Sequence, residues 1–284
     1  MRFFLVFLFS LSTLIAKSQH HSSADSTAAT KKPLKLEHAE PLYIDLIRDL
    51  GAHKGEKEWN IGAGMTDNLN YDSYEFLVEY EWAPIDRLGL EVEVPFTMYT
   101  RNNRDRRPEI FRPSDRVESL KLAAQYTFLV NAKMQTSLAL GQITEFEFAD
   151  LDRIGKDDLF SGLLFNPFLI AAKRWGGDFH TLVYTGPRFR RHFGHSGIST
   201  DYEVNTSFHY MIPGSRNFVG VELNKEFYDS NFKMVIRPQM RLVIHDSLML
   251  GIVTGIPISK TSERLSSFVR LIYEPGSRKS HHTH

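Results

Sequence analysis

The stretch SYEFLVEYEWAPIDRLGLEVEVPFTM, residues 73–98, decides the fold class of this chain. On both sides of the turn APIDR, apolar residues alternate with residues that are mostly acidic or small. Because successive side chains of a β-strand point to opposite faces, this period of two predicts a hairpin with one apolar and one acidic face. The same period continues from Glu58 onward and predicts twelve strands, near residues 57–66, 73–83, 88–99, 117–129, 134–148, 159–174, 178–190, 200–212, 217–228, 232–245, 247–258 and 264–274.

The connections between these strands fall into two alternating sets. One set is short and comprises residues 83–86, 130–133, 175–178, 212–217 and 245–247. The other set is longer, and its largest members are residues 100–116, 149–158 and 191–199. Tight turns at one end and larger loops at the other are typical of outer-membrane barrels. The predicted fold class is therefore all-β, an antiparallel transmembrane β-barrel of about 12 strands with a short N-terminal helix. A soluble β-sandwich is the alternative.

The placement of the aromatic residues favours the barrel. Trp59, Trp82 and Trp175 all fall at the tight-turn ends of their strands, and other aromatic residues fall at the opposite ends. Aromatic girdles at both interfaces, with aliphatic residues between them, anchor a barrel in a bilayer. A soluble sandwich would instead place its aromatic residues in the middle of the strands, where they would form the core.

The composition narrows the function classes. The 284 residues include 34 basic and 34 acidic residues, so the excess positive charge of a typical nucleic-acid binder is missing and no nucleic-acid partner is expected. Cysteine is absent, which excludes disulfides, thiolate metal sites and cysteine nucleophiles. After the N-terminus no apolar run is long enough for a membrane-spanning helix.

The two ends of the chain differ from its middle. Residues 1–18 combine Arg2, an apolar run and small residues at positions 16 and 18, which predicts a cleaved signal peptide and export to the outer membrane. Residues 19–37 and 275–284 are polar and are predicted to be a flexible linker and a flexible tail. Between the linker and the barrel, which is assigned residues 57–274, lies a segment of residues 38–56.

This segment is predicted to contain one short amphipathic helix. Pro41 suits a first helical turn, Gly51 suits a C-cap, and the apolar residues between them are Leu42, Ile44, Leu46, Ile47 and Leu50. Only about seven residues join the helix to the first strand, so we expect the helix to dock at or just inside the periplasmic mouth as a plug. A helix that binds a partner protein is the alternative.

The sequence HAEPLYID at residues 38–45 resembles the motif for which the HAEPLYID family of bacterial proteins is named. The resemblance extends over roughly residues 38–64. It implies an outer-membrane-type barrel of unassigned activity, and it supplies no catalytic residues.

In a membrane barrel the apolar face meets lipid and the polar face becomes the lumen. The lumen is then predicted to have an acidic wall and a basic wall that face each other: Glu75, Glu79, Glu81, Glu91 and Glu93 on one side, and Lys233, Arg237, Arg241 and Arg270 on the other. Twelve strands leave a lumen between the filled and the openly conducting sizes. The two walls either pair and fill the lumen or flank a water-filled path.

The long loops are predicted to form a basic mouth, which consists of Arg101, Arg104, Arg106, Arg107 and Arg112 together with Arg188 and Arg190. Such a mouth would steer anionic solutes inward or bind the phosphates of lipopolysaccharide. The second interpretation is the simpler one.

An enzyme is not expected. Ser207 and His209 lie on the polar face, whereas a lipid-acting enzyme needs its Ser and His on the lipid-facing side. Neither a cofactor nor a metal site is predicted, since most paired histidines lie in the two flexible ends. We therefore predict a narrow porin-like channel or transporter for small solutes, with a non-conducting structural or assembly protein as the alternative. Its expected partners are the lipid bilayer, lipopolysaccharide, the outer-membrane assembly machinery and a small solute.

Overall fold

Long antiparallel strands form one closed sheet in the computed structural model of this chain. The structure describes residues 32–44, 46–101, 112–151, 155, 159–229, 231–259 and 263–276. The strands are β1 (Lys57–Asn68), β2 (Tyr71–Ile85), β3 (Leu88–Arg101), β4 (Arg116–Val117), β5 (Ser119–Asn131), β6 (Thr136–Phe148), β7 (Phe160–Trp175), β8 (Phe179–His192), β9 (Ser199–Met211), β10 (Phe218–Tyr228), β11 (Asn231–His245), β12 (Leu248–Pro257) and β13 (Glu263–Tyr273).

Each strand pairs with its neighbours in sequence, and β1 pairs with β13 to close the sheet. The two-residue β4 lies in line with β5, since both pair with β3, and only Glu118 separates them. The wall therefore has twelve positions, and the prediction of an all-β barrel of about twelve antiparallel strands is confirmed. Closure satisfies the backbone hydrogen bonds that an open sheet would leave at its edges.

The two ends of the barrel differ. The turn end holds the connections 86–87, 132–135, 176–178, 212–217 and 246–247, together with the start of β1 and the end of β13. Arg87, in the two-residue turn, has a φ of 68°, in the left-handed region that non-glycine residues adopt mainly in turns. The loop end holds the other connections, of which 102–115 and 149–159 are the longest.

The barrel wall is apolar outside and polar inside. Outward residues such as Val78, Leu140 and Leu169 are exposed, whereas Asn60, Gln125, Ser137 and other inward polar residues are buried. This is the reverse of a water-soluble fold, in which the apolar face of a sheet is covered. No helix in the described part of the chain is long and apolar enough to cross a membrane.

The described residues of the plug segment, 33–44 and 46–56, fill the lumen at the turn end. Their hydrogen-bond partners lie on strands all around the barrel, from Glu81 on β2 and Thr127 on β5 to His180 on β8 and Gln239 on β11. A segment that reaches all these strands must lie inside the barrel. Residues 33–37 belong to it, because Leu36 is buried there, so the flexible linker predicted for residues 19–37 does not extend to Glu37. Residues 1–31 and 277–284 lie outside the described part of the chain.

The predicted helix between Pro41 and Leu50 is not confirmed, since none of the residues that the structure describes in this span is helical. Arg48 has a φ of 67°, in the left-handed region that a helix excludes. The apolar side chains also point to two separate walls rather than to one. Leu46, Ile47 and Leu50 join a cluster with Ala139, Ile170 and Leu182, whereas Ala39 and Leu42 join a second cluster with Phe218, Met249 and Ile272.

Candidate functional site: the vestibule and its plug

The loop-end half of the lumen is an open vestibule of about 1680 Å³. Residues near the loop-end tips of the strands line it, among them Asn68, Tyr99 and Glu147. Tyr43 and Ile44 of the plug segment also line it. The vestibule therefore ends on the HAEPLYID motif.

Charged side chains cover the vestibule wall. The described lining residues include nine carboxylates, which are Glu75, Glu93, Glu118, Glu145, Glu147, Asp150, Glu203, Glu226 and Glu263. They also include seven Arg or Lys residues, which are Arg116, Lys121, Arg188, Arg190, Lys233, Arg237 and Arg270. The wall is thus acidic by two charges in the described part.

Two of the described arginines of the predicted basic mouth pair with carboxylates. Arg188 lies 3.4 Å from Glu226 and 3.7 Å from Asp201, and Arg190 lies 2.8 Å from Glu147, so carboxylates neutralise both. Arg112 donates a hydrogen bond to the backbone oxygen of Tyr99 at 2.6 Å. Arg104, Arg106 and Arg107 lie outside the described residues. Contact of the exposed Arg101 with lipopolysaccharide stays a prediction.

The predicted acidic wall points inward, and Glu79, Glu81, Glu91 and Glu93 are buried at the level of the plug. Glu75 lies nearer the loop end and accepts a hydrogen bond from Thr66 at 3.3 Å. We expected these carboxylates to face a basic wall across the lumen. Instead, positive charges come to them from the plug, from a neighbouring strand and from β13: Arg48, Lys121 and Arg270.

Three of the four predicted basic-wall residues contact groups outside the acidic wall. Arg237 donates to Asn224 at 2.8 Å and to Ser266 at 3.1 Å, and its guanidinium lies 3.3 Å from the ring centroid of Tyr43. This cation–π contact fixes the tyrosine of the motif at the vestibule floor. Lys233 lies 3.6 Å from Glu263, and Arg241 donates to the backbone oxygen of Arg216. Arg270 alone reaches the acidic wall, 3.4 Å from Glu79.

Wall side chains take the place of helical hydrogen bonds along the first half of the plug. The backbone N–H groups of Ala39, Leu42 and Ile44 donate to His180 at 2.7 Å, Gln239 at 2.8 Å and Glu222 at 3.1 Å. A buried N–H group without a partner would destabilise the fold, so these three wall residues dictate the path of the motif. Sequence reasoning gave no signal that the partner of these three wall residues is a backbone.

His38 makes the first contact between the HAEPLYID motif and the barrel wall. Its Nε2 lies 2.9 Å from Ser137 Oγ. Burial, followed by the nearby His180 and Arg174, lowers the pKa of His38 to about 3, so this imidazole is neutral near neutral pH. A neutral imidazole suits a lumen that offers it a hydroxyl rather than a carboxylate.

The second half of the plug is held by charge. Arg48 Nη1 donates to Glu58 at 2.6 Å, and the backbone N–H of Arg48 donates to Glu81 at 2.8 Å. Lys35 contacts Asp49 and Glu56. The sequence analysis did not single out Arg48, because it considered only the apolar residues of this segment.

Glycines in the wall allow the plug to approach the strands. A Cβ atom on Gly89 would lie 2.0 Å from the backbone oxygen of Ile47, and one on Gly251 would lie 2.8 Å from the Leu42 side chain. No other residue type fits at Gly89 unless the plug moves. The close packing therefore depends both on the plug residues and on the glycines of the wall.

Ser207 and His209 remain inside the barrel. Both are buried, and His209 Nε2 lies 3.0 Å from Gln239 Nε2. Ser207 Oγ has no hydrogen-bond partner among the described residues, so this serine and His209 do not form a nucleophile and base pair there.

The closed twelve-stranded wall, the polar lumen and the vestibule define a barrel of porin-like architecture. The model of the family described as HAEPLYID-like matches residues 34–274, and the chain belongs to this family. A comparison with curated proteins finds no match.

Solved structures of outer-membrane barrels share the fold. The COG4313 outer membrane channel from Pseudomonas putida F1 has a TM-score of 0.65 at 12% identity, and the match covers 80% of this chain and 98% of that one. The NanC porin has a TM-score of 0.54 at 7% identity, with 76% and 98% covered. The KdgM porin has a TM-score of 0.51 at 14% identity, with 76% and 98% covered. At these identities the similarity establishes the fold.

Proposed function

We propose that this protein is an outer-membrane channel for small solutes and that the plug segment restricts its turn end. The observation that carries the proposal is the vestibule of about 1680 Å³, a charged cavity inside an apolar outer wall that ends on Tyr43 and Ile44. Channels and porins among the solved structures with this fold support the same function.

The outer surface supports placement in a membrane. Trp59 and Trp175 are about half exposed near the turn end, and Trp82 stacks on Tyr80 beside Trp59 at a centroid distance of 5.4 Å. Aliphatic side chains cover the wall between the two ends. An apolar band flanked by aromatic residues is what a bilayer solvates best. The expected location is the outer membrane, with the turn end facing the periplasm.

Two other function classes compete with a channel, a lipid-acting enzyme and a non-conducting structural protein. The inward placement of Ser207 and His209 removes the candidate pair for a lipid-acting enzyme. A non-conducting structural protein remains the main competitor, because the plug fills the turn-end half. The channel and the structural protein differ in the conductance expected once the plug is removed.

Planar-bilayer conductance tests the proposal. The wild type should conduct at small unitary values, and a variant without residues 38–50 should conduct several times more, because it lacks most of the plug. A variant with residues 38–50 scrambled keeps length and composition but loses the specific contacts, and it should resemble the deletion. Gel mobility with and without boiling serves as the folding control for each variant. If the folded deletion variant conducts no more than the wild type, the structural function replaces the channel.

A further inference from the structure

The inner surface of β1, β2 and β3 carries an unusual concentration of carboxylates. The strand register places two rows of polar side chains across these three strands: Glu58, Glu81 and Glu91 in one row, and Asn60, Glu79 and Glu93 in the next. Like charges directly opposite each other in a sheet repel and destabilise it. All five carboxylates are buried, so water does not screen this repulsion.

Positive charge from the described residues does not balance these carboxylates. Three cations reach the group: Arg48 lies 2.6 Å from Glu58, Lys121 lies 2.9 Å from Glu91 and 2.8 Å from Glu93, and Arg270 lies 3.4 Å from Glu79. Lys35, the next cation of the plug, contacts Asp49 and Glu56 instead. Five carboxylates and three cations leave two negative charges, and an unbalanced buried charge is strongly destabilising.

The geometry of three of these carboxylates matches a divalent cation. One oxygen atom each of Glu79, Glu81 and Glu91 can be chosen so that all three lie within 4.8 Å of one another. Oxygen ligands at the usual Ca²⁺ distance of about 2.3–2.6 Å lie up to about 5 Å apart on opposite sides of the ion. Mg²⁺, at about 2.0–2.1 Å, requires a tighter set and gives up its water reluctantly.

Two further atoms point to a missing ligand. Glu79 Oε2 and Asn60 Oδ1 belong to fully buried side chains, and neither atom has a hydrogen-bond partner among the described residues. The amide of Asn60 lies within the cluster, because its Nδ2 donates to Glu79 at 2.7 Å and to Glu81 at 3.1 Å. Buried acceptors without a donor are rare in folded proteins, and the carboxylate oxygen of Glu79, a member of the cluster, is the hard kind of ligand that Ca²⁺ prefers.

We propose that the lumen binds one Ca²⁺ ion between Glu79, Glu81 and Glu91. The two charges of the ion balance the excess of the carboxylate rows, and the ion joins β2 to β3 at the level where Arg48 fixes the plug. Glu93 and Arg270 of the same cluster line the vestibule, so the ion can enter from the loop end. Binding is independent of conduction, and a barrel that never conducts would still hold the ion.

Calcium uptake by the purified full-length barrel tests the site. The protein is refolded from inclusion bodies into detergent, which removes lipopolysaccharide, and is then stripped with a chelator. Equilibrium dialysis against Ca²⁺ at neutral pH should find about one ion per chain, and titration calorimetry should give the affinity. The Glu79→Gln and Glu91→Gln variants should each bind about tenfold or more weakly, since each loses a ligand. Ca²⁺ should raise the unfolding temperature of the wild type and not that of these variants.

Glu75→Gln is the matched control, because Glu75 lies on the same strand and face as Glu79 but outside the cluster. It should bind Ca²⁺ like the wild type. The absence of uptake by folded wild type overturns the proposal and leaves two shared protons as the balancing charges. The proposal is also overturned if a folded Glu79→Gln or Glu91→Gln variant takes up as much Ca²⁺ as the wild type, because the ion would then lie elsewhere.

Discussion

The two halves of the lumen differ in what occupies the space between the strands. Twelve strands enclose more space than inward side chains can fill. In the turn-end half a segment of the chain itself fills this space, and its backbone hydrogen-bonds to wall residues such as Gln239 and Glu81. In the loop-end half the wall charges pair with one another along the surface, as Arg190 does with Glu147, and the centre stays open.

The difference shows which contacts determine whether a barrel of this width is open or closed. Charges paired along a wall leave the lumen free. A backbone that offers donors in the middle of the lumen attracts acceptors from every side and closes it. The plug contacts should therefore dominate both stability and conductance, whereas single vestibule charges should change selectivity alone.

The largest effect is expected for Arg48→Met, which removes the charge that joins the plug to the wall. Glu58 would lose its 2.6 Å partner while it remains buried, and breaking a buried pair on one side costs about 3–5 kcal/mol. We expect a loss of that order in the free energy of unfolding, measured by urea titration in detergent, together with a higher unitary conductance.

Arg216→Met is the matched control for this change. Arg216 lies 2.7 Å from Glu274, but its side chain is 41% exposed. Exposed pairs contribute about 0–1 kcal/mol. Equal losses in the two variants would show that the Arg48 contact is no more than an ordinary surface pair.

Gly89→Ala tests the close approach of the plug without any change of charge. The added Cβ would meet the backbone oxygen of Ile47 at 2.0 Å, so the plug must shift away from β3. Overpacking of this kind costs about 1–3 kcal/mol. Gly177→Ala, in the turn 176–178, is the control, because nothing lies within 4 Å of its Cβ. A Gly89→Ala variant with wild-type stability and conductance would mean that the plug does not hold this position in solution.

The wall and the plug differ in how far the sequence predicts them. The strands follow from a local period of two, and the prediction of residues 88–99 for β3 differs from the observed Leu88–Arg101 by two residues at one end. The path of the plug depends on partners that are far away in sequence, such as Gln239 for Leu42, which are 197 positions apart. No local pattern encodes such a pair, and the apolar spacing of Leu42, Leu46 and Leu50 fits a helix equally well.

The same reasoning explains what was missed in the lumen. The inward positions of the acidic residues follow from alternation, but their partners follow from three-dimensional register and from the plug. Lys121 lies opposite Glu93 across β3 and β5, a pairing that the sequence of either strand does not reveal. The expectation of two opposed walls considered only strand residues as partners of the carboxylates, whereas the plug supplies one of the cations, Arg48.

A smaller loss of stability is expected at acidic pH. Burial raises the pKa of Asp49, but Lys35 and Arg48 outweigh it and hold this pKa well below the ordinary value of 3.8. Ionised Asp49 therefore contributes stability above about pH 4, and this contribution is lost as the pH falls towards the lower folded value. Glu40, whose pKa burial and then Asp49 raise, acts in the opposite sense, since its contribution is lost as the pH rises.

The measurement is the unfolding temperature between pH 6 and pH 3. Asp49→Asn should flatten the acid limb of this profile, because the group that titrates is gone. Asp229→Asn, at an exposed position between β10 and β11, should leave the limb as it is in the wild type. An acid limb that is unchanged in Asp49→Asn would assign the loss of stability to other carboxylates.

The smallest effect on stability, and the most specific effect on transport, is expected in the vestibule. Among the described lining residues, Glu75, Glu145 and Glu203 accept hydrogen bonds from hydroxyl or amide groups, and no Lys or Arg in the described part lies within 4 Å of them. Their charge is therefore available to a passing ion, and the vestibule should prefer cations over anions.

Replacing each of the three by Gln in a plug-deleted background should move the reversal potential in a salt gradient towards the unselective value, and the effect should weaken at high salt as screening increases. Glu118→Gln, in which the lost carboxylate is already paired with Arg116 at 2.7 Å, is the comparison and should shift the potential less. An anion preference in the plug-deleted protein would show that the long loops, rather than the vestibule wall, set the selectivity.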